Sequence, residues 1–433
     1  MNLIGGKYVN YQDSLEILNH LDERIGQTLM GEPLPIRMII DACDRLAEKI
    51  NEAEHLPLLM SLGMTEEKAK RELVDVKMMM SKTYLEHRVA MEFDTDISKD
   101  ILSPNRFIPY DIQQPVKQAW YPLGVLLHIA AGNIDALPVF SVIEGLLSGN
   151  INILKLPGSD DGLSIKLLIE LIEIEPRLID YIYVFDYPSE RIDLIEKMAE
   201  CADAVVIWGG EAAVAAVRKL VKPNVKLIEW GHKVSFAYVS GNVLIDNPET
   251  DAALKGIAYN MCDTEQLFCN ACQGIYVDTE DFEAVISFAK RFSGILQKCS
   301  DEMQRNLSPF TIAQKTLEIE TELLENKLVF KSASTSVIAR KNPDLELSYM
   351  FRNCWVKPLP RTKLFHTLRP NKNYLQTAAL LCDEEARLTL ENLMFRAGLV
   401  TITDGAHMSK GYCGMPHDGE MPLRRYMKKV TVR

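Results

Sequence analysis

Along residues 12–92, apolar side chains return every three or four positions with charged ones between them. That is the period of a helix with one buried face, so "DSLEILNHLDERIGQTL", "IRMIIDACDRLAEKINEA" and "TEEKAKRELVDVKMMMSKTYLEHRVAMEF" predict an all-helical N-terminal region. The run Met78 to Met80 fits the buried stripe of such a helix better than a sticky surface. From 96 to 121 the period is lost and three prolines intervene, which predicts an extended connector.

Beyond the connector, short apolar runs rich in β-branched residues alternate with helical stretches: "LGVLLHIA" (123–130), "INILKL" (151–156), "YIYVFD" (181–186), "AVVIWG" (204–209) and "VKLIEW" (225–230). They begin about 20 to 30 residues apart, room for a strand, a crossover helix and two turns, so the pattern predicts βαβ units and a mainly parallel sheet. Strands covered on both faces have no polar side to show, which accounts for the continuous apolarity. A second α/β block follows, with helices over 251–262 and 280–299, a strand at 274–278, the helix "DEEARLTLENLMFRAG" and a strand in "GLVTITDG" (398–405). The tail "LRRYMKKVTVR" alternates basic with β-branched residues, as an edge or intersubunit strand does.

A chain of 433 residues, 47% hydrophobic, supports more than one core. Its net charge of -12 argues against nonspecific nucleic-acid or anionic-membrane binding. The opening turns polar within a few residues, and the most apolar stretch, 121–157, is interrupted by Asp135 and Glu144, short of the ~18 uncharged residues a membrane span needs. A cytoplasmic protein with no membrane span and no nucleic-acid partner is expected. Nine cysteines, an odd number, read as free thiols rather than a disulfide framework.

Several stretches carry candidate chemistry. In "AAGNIDALPVF" (130–140), Asn133 follows a strand and precedes a helix, where its amide either caps the helix or donates to an oxyanion. In "ILKLPGSDDG" (153–162), Lys155 leaves a strand and Pro157, Gly158 and Ser159 lead to a helix, a place for ribose or phosphate or an ordinary turn. Gly209 and Gly210 join a strand to a helix and let backbone approach a pyrophosphate, without a full G-x-G-x-x-G. Glu229 ends a strand before the Gly231 turn, as a general base or as a salt-bridged carboxylate. Cys262, Cys269 and Cys272 crowd eleven positions but lack the fourth ligand of a zinc site and the setting of a thioredoxin-like pair, which leaves nucleophile or inert thiol. Cys413, His407 and His417 read as loop residues rather than a ligand set, so no metal is expected.

Taken in order, "PLGVLLHIAAGNIDALP", "LLSGNINILKLP", "VVIWGG", "LIEWGHK", a cysteine forty residues after the glutamate, "AGLVTIT" and "YMKKVTVR" resemble the aldehyde dehydrogenase superfamily over about residues 120–433. Within it, "EQLFCNACQ" followed by "GIYV", the "GHKVS" stretch and "PHDGEMPL" look like the LuxC-type acyl-CoA reductases. The resemblance implies an α/β, aldehyde dehydrogenase-like fold. A helical region and Rossmann-type cofactor domain would fill 1–240, an α/β catalytic domain 241–412, and a return segment with an oligomerisation strand 413–433. It matches Cys269 to the catalytic cysteine, preceded by Glu265-Gln266 and followed by Gln273 at the family's spacing, Asn133 to the oxyanion-hole asparagine and Glu229 to the general base. Lys155 matches the cofactor-ribose lysine, Gly209 and Gly210 the pyrophosphate turn, and Gly158 and Gly231 line the same cofactor region.

Departures from the pattern are specific. Cys272 stands where LuxC-type sequences usually have proline, His232 replaces a second glycine after Glu229, and no Glu-x-Phe-Gly-Pro segment is present. Gly158 stands where NAD-preferring relatives often carry glutamate, which leans toward NADP(H), with NAD(H) as the alternative. The implied activity is NADPH-dependent reduction of an acyl-CoA to the aldehyde by a homodimer or homotetramer, with coenzyme A as part of the substrate. An aldehyde dehydrogenase releasing free acid and a catalytically silent nucleotide-binding subunit are the alternatives.

Overall fold

The computed structural model describes residues 2–61, 63–93, 108–109, 116–130, 136–158, 162–325 and 327–433. The chain divides into two compact units, residues 1–231 with 412–433, and residues 232–411. The first boundary falls nine residues earlier than the expected 240, because Val234–Val239 hydrogen-bonds into the second unit's sheet.

In the first unit a hairpin, β1 (Asn2–Ile4) and β2 (Lys7–Val9), precedes the helices; its three-residue strands are too short for a period to reveal. Six helices follow: α1 (Tyr11–Asn19), α2 (Leu21–Leu29), α3 (Ile36–Lys49), α4 (Glu52–Ser61), α5 (Glu66–Met80) and α6 (Lys82–Phe93). The chain bends at His20 and so splits the first expected helix in two. Asn10 caps α1 by accepting the Asp13 N–H at 2.9 Å, and Thr65 caps α5 by accepting that of Lys68 at 3.3 Å. Met80 is fully buried and Met78 half exposed, as a single helical stripe requires.

The connector contributes β3 (Ile108–Pro109) and β4 (Lys117–Pro122), which pair antiparallel. Then come β5 (Val125–Ile129), β6 (Ile151–Lys155), β7 (Ile182–Phe185), β8 (Ala204–Trp208) and β9 (Lys226–Trp230), all parallel, at the five apolar runs. The helices α7 (Leu137–Leu147), α8 (Leu163–Ile174), α9 (Ile192–Glu200) and α10 (Glu211–Leu220) form the crossovers. The sheet order is β2-β1-β7-β6-β5-β8-β9. Chain direction reverses across the sheet between β5 and β8, the switch point beside which open α/β sheets bind ligands at their strand ends.

The second unit's sheet runs β12-β13-β14-β11-β10-β15-β16. Its strands are β10 (Val234–Val239), β11 (Cys272–Val277), β12 (Leu328–Lys331), β13 (Ser336–Ala339), β14 (Asn353–Pro358), β15 (Leu375–Leu381) and β16 (Thr401–Thr403). All neighbours are parallel except β12 and β13. Helices α11 (Pro248–Thr264), α12 (Phe282–Asp301), α13 (Pro309–Leu324), α14 (Arg361–Leu368) and α15 (Glu384–Ala397) complete it, and α11 and α12 bury Leu254, Ile257, Met261, Phe288 and Phe292 beneath one face. Burying each such side chain stabilises by about 1.5–3 kcal/mol. Trp355 on β14 lies flat over Gly274 on β11, where any Cβ would meet the indole at 2.1 Å.

The return segment carries α16 (Pro422–Arg425) and β17 (Met427–Val432); β17 pairs antiparallel with β4 at the edge of the three-stranded sheet β17-β4-β3. Among the described residues no helix is long and apolar enough to cross a membrane.

Candidate active site

Cys269 lies in the loop between α11 and β11, and that loop starts on two left-handed residues, Glu265 (φ 48°) and Gln266 (φ 61°). Non-glycine residues there cost about 1 kcal/mol or more each, so surrounding contacts must fix them. Glu265 receives the buried Arg352 guanidinium at 2.7 Å and approaches Arg305 at 3.3 Å, while its carbonyl accepts the Phe351 N–H at 2.9 Å. Gln266 donates to Ser348 Oγ at 3.1 Å and to the Cys272 carbonyl at 3.0 Å. Gln273 donates to the Gln266 carbonyl at 2.9 Å and accepts from Ser348 Oγ at 2.8 Å. The Glu265-Gln266 and Gln273 positions thus brace the cysteine loop against Ser348–Arg352, whose last three residues are also left-handed.

Cys269 is held at two atoms. The Ser235 hydroxyl donates to its carbonyl at 2.7 Å, and the Gln376 amide donates to its Sγ at 3.3 Å. Ser235 in turn accepts the Thr377 N–H at 3.1 Å. Register shifts on both sides of Ser235, toward β11 and toward β15, let these side chains turn toward the loop.

The neighbouring thiols do other things. Cys262 is buried on α11 and hydrogen-bonded to Cys299, and Cys272 begins β11 with its thiol donating to the Gly274 carbonyl at 3.3 Å. Burial pushes the Cys272 and Cys354 thiols up, and takes Cys43 to about 12 and Cys201 to about 11. Cys269 is half-buried. Cys413 donates to the Tyr84 carbonyl at 3.1 Å and His407 pairs with Asp404 at 2.8 Å. Among the described residues no three His, Cys, Asp or Glu side chains converge as a metal site would require.

In the first unit, the parallel strands end together and set Lys155, Gly209 and Gly231 along one edge of the sheet. Lys155 is buried, donates to Ser189 Oγ at 2.9 Å, and has its ammonium affinity for a proton lowered by burial against the opposing pull of Asp186 and Glu190. Gly210 is the N-cap of α10 and brings no side chain of its own to the first turn, and Gly158, Gly210 and Gly231 have open space where a Cβ would stand. That room, with a buried ammonium and a glycine at the helix start, fits a dinucleotide; Glu211 in the first turn of α10, and Asp186 and Glu190 near Lys155, are charges that oppose a phosphate. Asn133 and Ser159 lie outside the described residues.

Glu229 faces α10, and both its carboxylate oxygens bond the Arg218 guanidinium. Of the two readings of this residue, the geometry is the salt-bridged one, since a fork-to-fork pair occupies the oxygens a base would use. On the other face of the sheet, Trp208 and Trp230 stack with ring centres 5.4 Å apart. His417 sets its edge against both, at 5.0 and 4.8 Å, on a tight turn through Asp418 and Gly419. The Trp208 indole donates to Ser141 Oγ at 3.2 Å, Ser141 bonds His128 Nδ1 at 2.7 Å, and His128 Nε2 donates to Asn152 Oδ1 at 3.0 Å. This chain fixes the strand end that leads into Gly209. A Cβ at Gly145 would lie 1.7 Å from Asn152 Oδ1, so the chain also requires that glycine.

Ser235, Gln376 and Arg352 bond the cysteine loop although no motif in the sequence marks them. The available signal was a polar side chain in an otherwise apolar run, as in "YLQTAALL" and "KVSFAYV".

Comparison with known proteins gives the family and the fold. A family model described as acyl-CoA reductase (LuxC) matches residues 32–429. A long-chain acyl-protein thioester reductase of Photorhabdus luminescens is 25% identical over 72% of the chain, and the chain spans 64% of that relative's length. One of Photobacterium phosphoreum is 24% identical over 98% of the chain and 86% of its own length. Among solved structures, a 3,6-anhydro-L-galactose dehydrogenase in complex with NAP superposes with a TM-score of 0.71 at 14% identity, covering 100% of this chain and 99% of that one. An NADP-dependent glyceraldehyde-3-phosphate dehydrogenase from Bacillus halodurans C-125 reaches 0.73 at 12% identity, covering 100% and 98%. The fold is that of the aldehyde dehydrogenases, and with a family match across nearly the whole sequence the chain belongs to the LuxC acyl-CoA reductase family.

Proposed function

We propose that the protein reduces a long-chain acyl thioester, with acyl-CoA as the first candidate, to the aldehyde at the expense of NADPH and through an acyl group carried on Cys269. The observation that supports it most directly is the braced loop that offers a half-buried Cys269 sulfur to an amide donor in a LuxC-family chain. The Cys269 thiolate attacks the acyl carbonyl; its S–C bond forms, the bond to the departing thiol breaks, and the leaving thiolate takes a proton from solvent. One thioester replaces another, so the exchange needs little driving force. The Asn133 amide and the Cys269 backbone N–H are the proposed donors to the oxyanion, a role whose loss costs ~100- to 1,000-fold in rate.

Lys155 and the turns at Gly158, Gly209-Gly210 and Gly231 are the residues that would hold the dinucleotide. Gly158 presents no carboxylate to repel a 2′-phosphate, which favours NADPH. A nicotinamide bound there would supply the hydride that converts the acyl group to an aldehyde. Release of free acid, the competing outcome, needs a base to activate water. Glu229 is occupied by Arg218, which favours reduction over hydrolysis.

Acyl-CoA and acyl-protein thioesters of graded chain length, each offered with NADPH and with NADH, separate the possibilities. Aldehyde formation matched to NADPH loss is expected with a long-chain thioester; acid release without NADPH loss would replace this reading with hydrolysis. Faster turnover of the acyl-protein would make it, rather than acyl-CoA, the donor.

A further inference from the structure

Gln376 is buried, 6% exposed, in a strand whose other side chains are almost all apolar. Burying a carboxamide costs about 1–3 kcal/mol unless its polar atoms are used. Here the strand register shifts between the Val234–Leu375 and Phe236–Ala378 pairs, so that two residues of β15, Gln376 and Thr377, face Ser235 alone. Thr377 gives its N–H to Ser235, Ser235 gives its hydroxyl to the Cys269 carbonyl, and Gln376 gives its amide to the Cys269 sulfur at 3.3 Å. A single bulge therefore aims two side chains at the two ends of one residue.

We propose that the Gln376 carboxamide is a catalytic donor that stabilises the Cys269 thiolate and holds the sulfur in one direction, with Ser235 positioning the backbone behind it. The inference rests on reading Cys269 as the nucleophile. A neutral amide neither competes for the thiol proton nor changes charge with pH, and its bond to sulfur strengthens when the sulfur is anionic. A lysine or histidine would also favour the thiolate, but would bring a titration of its own. As the acyl group arrives and the sulfur's charge disperses, the bond weakens and does not trap the acylated state.

The test is the pH dependence of Cys269 alkylation by iodoacetamide in the full-length protein, followed by peptide mapping, for wild type, Gln376→Met and Gln376→Glu. Loss of the donor is expected to move the midpoint up by about one pH unit in Gln376→Met. Gln376→Glu, which keeps the shape and adds a negative charge, is expected to move it further. Coincident midpoints in either folded variant overturn the proposal, since a purely structural glutamine would alter stability without moving the profile. Acylation of Cys269 by an acyl-CoA at neutral pH is expected to slow about tenfold in Gln376→Met. If wild type accepts no acyl group while the alkylation midpoint still moves, the nucleophile reading fails and the amide–sulfur relationship stands.

Discussion

Glu265 and Arg352, 87 positions apart, form a partly buried ion pair that joins the loop carrying Cys269 to a second left-handed turn. Arg352 also donates to the Ser300 hydroxyl at 2.7 Å and to the Ser300 carbonyl at 3.1 Å, so its charge is compensated on several sides. Arg352→Met leaves Glu265 without its closest cation and is expected to cost about 3–5 kcal/mol in urea unfolding. A loss under about 1 kcal/mol would place the pair with exposed salt bridges instead.

Two buried groups give opposing pH dependences. Burial raises Glu92 from 4.5 to about 7, so between those values the folded chain keeps a proton that the unfolded chain releases, and stability falls as pH rises. Burial lowers His128 from 6.5 to about 4, so between those values the unfolded chain takes a proton that the folded chain refuses, and stability rises with pH. Each effect is worth about 3 kcal/mol, and their windows overlap. Urea midpoints of Glu92→Gln should therefore climb between pH 4.5 and 6.5 more steeply than those of wild type, and midpoints of His128→Gln should fall. Parallel curves for all three proteins would show that neither group is held this way.

With Glu229 bonded through both oxygens to Arg218, Glu229→Gln is expected to leave the rate of Cys269 acylation within about threefold of wild type. Stopped-flow release of coenzyme A measures it directly. A loss of ~100-fold, the size of a general-base contribution, would restore proton transfer to Glu229.

Lys155→Met removes the buried ammonium at the end of β6. Fluorescence titration is expected to show NADPH binding weakened about tenfold or more, with acyl transfer to Cys269 retained. Unchanged NADPH affinity would remove Lys155 from the cofactor site.

Much of the fold could be read from local pattern. The five buried strands of the first unit are continuous apolar runs, and helices α11, α12 and α15 keep their period. β10 escaped because "VSFAYV" follows β9 after only three residues, and β4 because it lies in the proline-rich connector. The basic, β-branched tail does form an edge strand. Cys269 is set apart from Cys262 and Cys272 by the family resemblance, through Glu265-Gln266 before it and Gln273 after it, whereas Arg352 and Gln376 reach the cysteine loop from 87 and 107 positions away, distances at which no periodicity carries information. Whether Glu229 is a base or an ion-pair partner was likewise undecidable from spacing, because Arg218 lies on a different element.

The most direct measurement is peptide mapping after the protein is mixed with a long-chain acyl-CoA in the absence of reductant. One acyl group on Cys269 is expected, discharged as aldehyde when NADPH is added, with neither labelling nor NADPH loss in Cys269→Ala. Acylation at another residue, or NADPH-dependent aldehyde formation at the wild-type rate in Cys269→Ala, would contradict the central claim.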